Sequence, residues 1–287
     1  MRISGTTRLA GIMGWPVTHS RSPALHGFWL DETGIDGAYL PLPVAPQHIE
    51  QALRALPILG FRGCNLTIPH KQAALSVVDR VEPLARRIGA VNTIVVGPDG
   101  SLEGRNTDAF GFFENLRETV PEWNPAAGPA VILGAGGAAR AVVAALADAG
   151  VAEIRVVNRT LARAAALASD LSMPKVAITT HSWDEVGTAQ QHAALLVNAT
   201  SLGMTGEPAL TLDLSLLPPL TPVVDIVYVP LETDLLAAAR RRGHPVVDGL
   251  GMLLHQGRPG FEAWFGAPVR VTTELRAAIL ATLAPTR

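Results

Sequence analysis

Two serines, a lysine, an aspartate and several carboxamides stand out because apolar runs surround them. His19-Ser20-Arg21-Ser22-Pro23 follows a short apolar stretch. Two hydroxyls at i and i+2 beside a helix start can donate to a carboxylate. Ser22 has a plainer duty as an N-cap, a place serine often fills; Ser20 has no such duty. Asn65-Leu66-Thr67-Ile68-Pro69-His70-Lys71 closes a second apolar stretch. In an extended strand Asn65 and Thr67 share a face, and the turn at Pro69 then delivers Lys71. A lone lysine is usually a solvated charge, but one placed behind Asn and Thr at a strand end is a candidate catalytic cation. Asn92 and Asn106-Thr107-Asp108 interrupt a strand or cap a helix; Asp108 reads first as an N-cap, and it can be both cap and site residue. Together these residues make a polar pocket with one cation, one anion and several neutral hydrogen-bonders, suited to a polyhydroxylated carboxylate.

A second kind of chemistry lies further along. Gly134-Ala135-Gly136-Gly137-Ala138 stands between a predicted strand and a predicted helix. Glycines there permit a tight turn and let a pyrophosphate approach the backbone, while the helix N-terminus offers free N–H groups and a favourable dipole. A glycine-rich turn alone fits a structural turn equally well. The tip of the next strand decides between them, at the usual distance of about 20 residues. NAD enzymes place an acid there for the ribose; this chain has Asn158-Arg159-Thr160, with Arg163 beyond. Arginine pairs with phosphate oxygens through its planar fork and stays charged. Either arginine alone reads as a surface charge; both at this tip predict NADP over NAD.

The elements that must position these groups fall into two grammars. In the first third, Leu9–Met13, Ala38–Val44, Gly63–Ile68, Ala90–Val96 and Ser101–Thr107 read as strands. Helices are expected from Ser22-Pro23 to Thr33 and from Pro46 to Leu56. Ala109–Glu118 has Phe110, Phe113, Leu116 and Arg117 at helical spacing. From Ala130 onward βα units repeat, which implies a parallel sheet with helices on both faces. Strands are predicted at Val131–Leu133, Ile154–Val157, Val176–Thr179, Leu195–Ala199, Val223–Tyr228 and Pro245–Val247. Helices are predicted at Gly136–Ala149, Leu161–Leu171 and Leu231–Arg242, with a mostly helical tail from Leu250.

Bulk composition bounds what remains. With 287 residues, 48% apolar and 17% charged, the chain is too long for one core and too apolar to be disordered. A net charge of −2 gives no basic excess for nucleic acid or a membrane surface. Cys64 is the one cysteine, so no intrachain disulfide forms, and the thiol reads as packed core. The eight histidines show no paired metal-ligand spacing. The first residues lack the apolar segment of a signal peptide, so a cytoplasmic protein is expected.

These motifs, in this order, resemble the shikimate dehydrogenase family, and the resemblance covers nearly the whole chain. It rests on 14–23, 65–71, Gly89-Ala90-Val91-Asn92-Thr93, 106–108, 134–138, 158–160, Asn198-Ala199-Thr200-Ser201-Leu202-Gly203-Met204, Asp225-Ile226-Val227-Tyr228 and 248–257. The resemblance implies an α/β fold of two domains: an N-terminal substrate-binding and catalytic domain over 1–108 and a Rossmann-type NADP-binding domain over 109–248. Helices over 249–287 are expected to return to the first domain, with the active site in a cleft between the two. The implied reaction is the reversible NADP-dependent reduction of 3-dehydroshikimate to shikimate, a step toward chorismate and the aromatic amino acids. Ser20 and Ser22 would hold the substrate carboxylate with Tyr228 nearby. Thr67, Asn92, Asp108 and Gln256 would bond the ring hydroxyls, and Lys71 and Asp108 would be the catalytic pair. Gly134, Ala135, Gly136, Gly137 and Ala138 would take the pyrophosphate, Asn158, Arg159, Thr160 and Arg163 the adenosine end, and Ile226, Gly249 and Met252 the nicotinamide.

A secondary hydroxyl is a poor acid, so hydride loss needs a base, and the reverse reaction needs a proton donor. Lys71 either carries that proton or stabilises the developing alkoxide. Two departures from the family pattern stand out: Gly27 follows His26 where Asn is frequent, and Pro83 stands near a frequent acid, with Glu82 beside it. Rival readings are a quinate/shikimate dehydrogenase, an aminoshikimate dehydrogenase and a non-enzymatic NADP-sensing regulator. Loss of Lys71 or Asp108 would mark the regulator, and both are present. A methylenetetrahydrofolate dehydrogenase shares the two-domain plan but leaves the paired serines unexplained. Monomer and homodimer both stay open.

Overall fold

The structure, a computed structural model, describes residues 3–283. It is an α/β protein with two sheets and divides into two compact units. One is built from residues up to Thr107 together with those from Leu254 onward; the other is Asp108–Leu253.

The first unit runs β1 (Arg8–Gly14), α1 (Ser22–Thr33), β2 (Gly37–Pro43), α2 (Ile49–Ala55), β3 (Phe61–Leu66), β4 (Arg80–Val81), α3 (Pro83–Ile88), β5 (Thr93–Val96) and β6 (Leu102–Arg105). Its sheet has the order β2-β1-β3-β5-β6-β4. β1 is parallel to β2 and β3, as helical crossovers require, while β5 runs antiparallel to β3 and β6. Met13, Leu53, Cys64, Leu66, Ile94 and Leu102 pack one core here, and each fully buried aliphatic side chain contributes about 1.5–3 kcal/mol over leaving it exposed. Cys64 is packed as the sequence implied, and burial pushes its thiol well above the ordinary range.

The second unit runs α4 (Asp108–Thr119), β7 (Ala130–Leu133), α5 (Gly137–Asp148), β8 (Glu153–Val157), α6 (Leu161–Asp170), β9 (Ala177–His181), α7 (Val186–Gln190), β10 (Leu195–Asn198), β11 (Val223–Asp225), α8 (Asp234–Arg241) and β12 (Val246–Val247). All six strands are parallel, in the order β12-β11-β10-β7-β8-β9. Chain order therefore reverses between β7 and β10, and crevices at the carboxyl ends of strands at such a switch point are where open α/β sheets bind ligands. Two helices follow, α9 (Gly249–Phe265) and α10 (Thr273–Ala281). Within the first unit, the Trp264 indole N–H donates to the Ile94 carbonyl at 2.9 Å, and that of Trp29 to the Arg270 carbonyl at 3.0 Å. Among the described residues no helix is long and apolar enough to cross a membrane.

Several expected boundaries move for identifiable reasons. Ser22 is not the N-cap of α1: Arg21 takes that position and Ser22 is the first helical residue. Asp108 likewise lies inside the first turn of α4. The buried face of α4 carries Ala109, Phe112 and Leu116, while Phe110 is 37% exposed, so spacing alone places the aromatic face one register off. The strand expected from Ala90 begins at Thr93, because the Asn106 carboxamide holds the Ala90 carbonyl at 3.0 Å. The helix expected from Leu231 begins at Asp234, where the Thr233 hydroxyl accepts from the Leu236 N–H. The segment from Pro46 starts as a turn of 3-10 helix before α2, and β4, α3 and α7 have no counterpart in the sequence pattern.

Candidate active site

In the first unit the chain leaves β1 and β3 side by side. The Thr67 N–H donates to the Met13 carbonyl at 3.0 Å, and the Trp15 N–H to the Ile68 carbonyl at 3.1 Å. The serine loop and the Lys71 turn therefore emerge together from one end of the sheet. Ser22 is buried and Ser20 half-buried. The Ser20 hydroxyl oxygen accepts from the Ser22 N–H at 3.2 Å. Ser20 thus has a structural duty that its place in the sequence did not announce, and its hydroxyl proton remains able to donate to a ligand.

On the Lys71 turn, the His70 N–H closes onto the Thr67 carbonyl at 2.9 Å, and Thr67 and Lys71 are both half-buried. The Lys71 carbonyl accepts from the Val91 N–H at 2.8 Å, which fixes the lysine segment beside the residue preceding Asn92. Asn92 is the hub of a buried polar network. Its Oδ1 accepts from the Thr93 hydroxyl at 2.9 Å and the Thr107 N–H at 2.9 Å; its Nδ2 donates to Thr107 Oγ1 at 3.0 Å and to Gln256 Oε1 at 3.5 Å. Behind it, the Tyr39 hydroxyl donates to Asn65 Oδ1 at 2.6 Å, and Asn65 Nδ2 donates to the Asn92 carbonyl and to Thr93 Oγ1, each at 3.1 Å.

The structure therefore brings Thr67, Lys71, Asn92 and Gln256 into one neighbourhood and adds Tyr39, Asn65, Thr93 and Thr107 as its support. The sequence reading gave Tyr39 and Thr93 no role, although a tyrosine and a threonine in otherwise apolar strands were the available signal. His26 lies behind Tyr39, its ring stacked at 4.0 Å between centroids and 5° between planes, with Trp29, Phe261 and Trp264 around it. Burial holds this imidazole down to about 3, so it is neutral. Asp108 follows Thr107 directly in the chain and is buried as the first residue of α4.

In the second unit the glycine turn sits where β7 ends. Gly134 has φ +107°, a conformation that favours glycine, and its N–H donates to the Val157 carbonyl at 2.8 Å. Gly136 caps α5 without a side-chain hydrogen bond, and a Cβ at Gly136 or Gly137 would meet no protein atom within 4 Å. Ala135 and Ala138, on either side of the two glycines, are half-buried. An open backbone at a helix N-terminus is an anion cradle, so the residues present fit a dinucleotide pyrophosphate. One strand over, the Asn158 Nδ2 bonds the Thr160 carbonyl at 2.8 Å and shapes the tip; Arg159, Thr160 and Arg163 are all exposed at the start of α6. No acid stands at the tip. At the carboxyl end of β11, Ile226, Tyr228 and Met252 are half-buried, and the Gly249 N–H donates to the Val227 carbonyl at 3.2 Å.

Known families match both parts of the chain. Residues 12–94 match the family model described as the shikimate dehydrogenase substrate binding domain, and residues 120–205 match that of shikimate/quinate 5-dehydrogenase. The chain is 64% identical over 278 residues to a shikimate dehydrogenase (NADP(+)) of Paramagnetospirillum magneticum, covering 97% of this chain and 100% of that one. Among solved structures it is similar to shikimate 5-dehydrogenase of Thermus thermophilus in complex with NADP(H) and shikimate, with a TM-score of 0.84, 38% identity, and 96% and 99% of the two chains covered. It is also similar to quinate dehydrogenase of Corynebacterium glutamicum in complex with NAD, with a TM-score of 0.89, 33% identity and the same coverage. From this agreement along its length, the chain belongs to the shikimate dehydrogenase family.

Proposed function

We propose that the protein is an NADP-dependent shikimate dehydrogenase that reversibly reduces 3-dehydroshikimate to shikimate by hydride transfer, in the pathway to chorismate and the aromatic amino acids. The observation that carries this reading is the buried network of carboxamides and hydroxyls around Asn92, tied through the Val91 N–H to the Lys71 turn. Carboxamides and hydroxyls with both donors and acceptors match the hydroxyls of a cyclic polyol. Asn92, Thr67, Gln256 and Asp108 take these roles here, and Ser20, Ser22 and Tyr228 bind the carboxylate.

When bound, NADP⁺ supplies the hydride acceptor. Gly134 to Ala138 are suited to its pyrophosphate and Asn158 to its adenosine. Arg159, Thr160 and Arg163 suit its 2′-phosphate, with no carboxylate there to repel it. Ile226, Gly249 and Met252 would lie beside its nicotinamide. Lys71 and Asp108 manage the hydroxyl proton. Lys71 either receives it or stabilises the developing alkoxide by its charge, and Lys71→Arg separates the two roles, because arginine keeps the charge yet does not give up a proton. Cytosolic operation fits the one buried cysteine.

The test mixes shikimate or quinate with NADP⁺ or NAD⁺ and follows absorbance of the reduced cofactor. Turnover of shikimate with NADP⁺ well above the other three pairs is expected. Preferred turnover of quinate with NAD⁺ would replace this reading with the activity named for the Corynebacterium glutamicum relative. Binding of NADP⁺ with no turnover of either alcohol would favour a sensor or an altered substrate.

A further inference from the structure

We propose that Asp225 is a positioning residue for the dinucleotide: its buried carboxylate ties the ends of β10 and β11 together and so holds the loops around the switch point in a ligand-ready arrangement. The proposal rests on the reading that this protein uses NADP. Asn198 and Asp225 end their strands in register with each other, and both are fully buried. Asp225 Oδ1 accepts from Asn198 Nδ2 at 2.9 Å and from the Val227 N–H at 3.0 Å, while Oδ2 accepts from the Thr233 hydroxyl at 2.7 Å. All three donors are neutral.

From this carboxylate the links run outward on both sides. Asn198 Oδ1 accepts from the Thr200 N–H at 3.1 Å and the Thr200 hydroxyl at 2.7 Å, and Asn198 Nδ2 also donates to the Leu202 carbonyl at 3.1 Å. Thr200 in turn lies against the glycine turn, where a Cβ on Gly134 would sit 2.9 Å from Thr200 Cγ2. On the other side, the peptide fixed at Val227 receives the Gly249 N–H, and Gly249 is packed so closely on the Ile226 carbonyl that no side chain fits there. The Thr205 N–H donates to the Val229 carbonyl at 2.8 Å and joins the two loops again. One side chain is thus connected, directly or through one or two intermediate residues, to the segments that carry Gly134, Ile226 and Gly249.

An acid suits this place because a carboxylate only accepts, so both oxygens can face donors. An asparagine would turn one of those acceptors into an NH₂. The arrangement is held against a desolvation cost, which raises the carboxyl to about 6 despite its three donors.

The experiment compares full-length wild type with Asp225→Asn at about pH 8, well above the carboxyl's titration. It measures the NADP⁺ dissociation constant by calorimetric titration, KM and kcat with shikimate, and the thermal midpoint. A positioning role raises the NADP⁺ dissociation constant and KM about tenfold, as for one lost charge-assisted hydrogen bond, whether or not the thermal midpoint moves. A lower midpoint with an unchanged dissociation constant would overturn the proposal. If Asp225→Asn fails to fold, Thr233→Val removes the Oδ2 bond and keeps the charge. A several-fold weaker dissociation constant then supports the proposal and an unchanged one overturns it. Wild type that does not bind NADP⁺ would overturn the cofactor reading and this inference with it. Wild-type binding with unaltered variants overturns this inference alone.

Discussion

The two units each bury a polar cluster at the carboxyl end of a sheet, and the clusters are built on opposite principles. Around Asn92 the hub is a carboxamide, which donates and accepts from one side chain, and its hydroxyl, N–H and carboxamide partners are neutral. Around Asp225 the hub is a carboxylate that only accepts, surrounded by donors. The first composition suits a surface that reads hydroxyls, because a hydroxyl presents both polarities. The second suits a brace that gathers loose N–H and O–H groups and presents little to a ligand itself. The charges that would meet ligand are Lys71, half-buried on a turn, Asp108, buried at the start of α4, and Arg159 and Arg163, exposed on a tip.

The strongest way to break this contrast is at Lys71. If the first cluster is where bonds change, Lys71→Ala lowers kcat by about 10²–10⁴-fold and leaves the NADP⁺ dissociation constant within error in a calorimetric titration. A similar loss in both quantities would remove the division of labour. Next in size is the arginine tip. The double variant Arg159→Ala, Arg163→Ala should raise KM for NADP⁺ about 10–100-fold, the loss of one or two charge-assisted contacts, with KM for NAD⁺ unmoved. Steady-state rates with both cofactors check this, and equal effects on the two would discard the 2′-phosphate assignment. A smaller effect is expected from Asn92→Ala, which leaves the Thr107 N–H and the Thr93 hydroxyl without their acceptor. It should cost about 1–3 kcal/mol in urea denaturation and raise KM for shikimate more than KM for NADP⁺.

The smallest effect sharpens the comparison through acid. His26 in the first unit is held neutral, its pKa lowered by burial from 6.5 to about 3. Between those values the unfolded chain binds a proton that the folded chain refuses, so this contribution is complete above 6.5 and falls as pH drops toward 3, by up to about 1.4 kcal/mol per pH unit. Asp225 has the opposite sign. Its pKa is raised from 3.8 to about 6, chiefly by burial, so its contribution is complete below 3.8 and is lost as pH rises through 6. Denaturation midpoints measured from about pH 4 to pH 7 should show a shallower acid fall in His26→Phe and a smaller high-pH loss in Asp225→Asn. Profiles that shift in the same direction in both variants would show that the two buried groups do not act with opposite sign.

The sequence revealed the scaffold better than it revealed the clusters. The bounds of α1 were readable because Pro23 marks its first turn and Gly34 its end, and the strands of the second sheet were readable because parallel strands buried on both faces leave continuous apolar runs. Ends set by distant side chains were not readable: nothing near Ala90 announces that Asn106 will take its carbonyl. The start of α8 did carry a local signal, Thr233 as cap followed by Asp234, which the apolar pattern from Leu231 overrode. The same holds for function. Lys71, Asn92 and the glycine turn were visible as polar or flexible residues out of place. The Ser20 hydroxyl bonding the Ser22 N–H, the Tyr39–Asn65 support and the Asp225 brace depend on pairings in space, which a one-dimensional pattern does not record.

The indole of Trp264 on the Ile94 carbonyl, and that of Trp29 on the Arg270 carbonyl, also set a timetable. A nascent chain emerges in order, and at roughly 5–20 residues per second the segment from Asp108 to Leu253 takes on the order of ten seconds to synthesise. Throughout that interval the strands of residues 8–105 exist without the helices that cover Trp29 and Ile94, and by its end the intervening parallel sheet already has all its strands. During synthesis, the half of the molecule begun first is the half completed last.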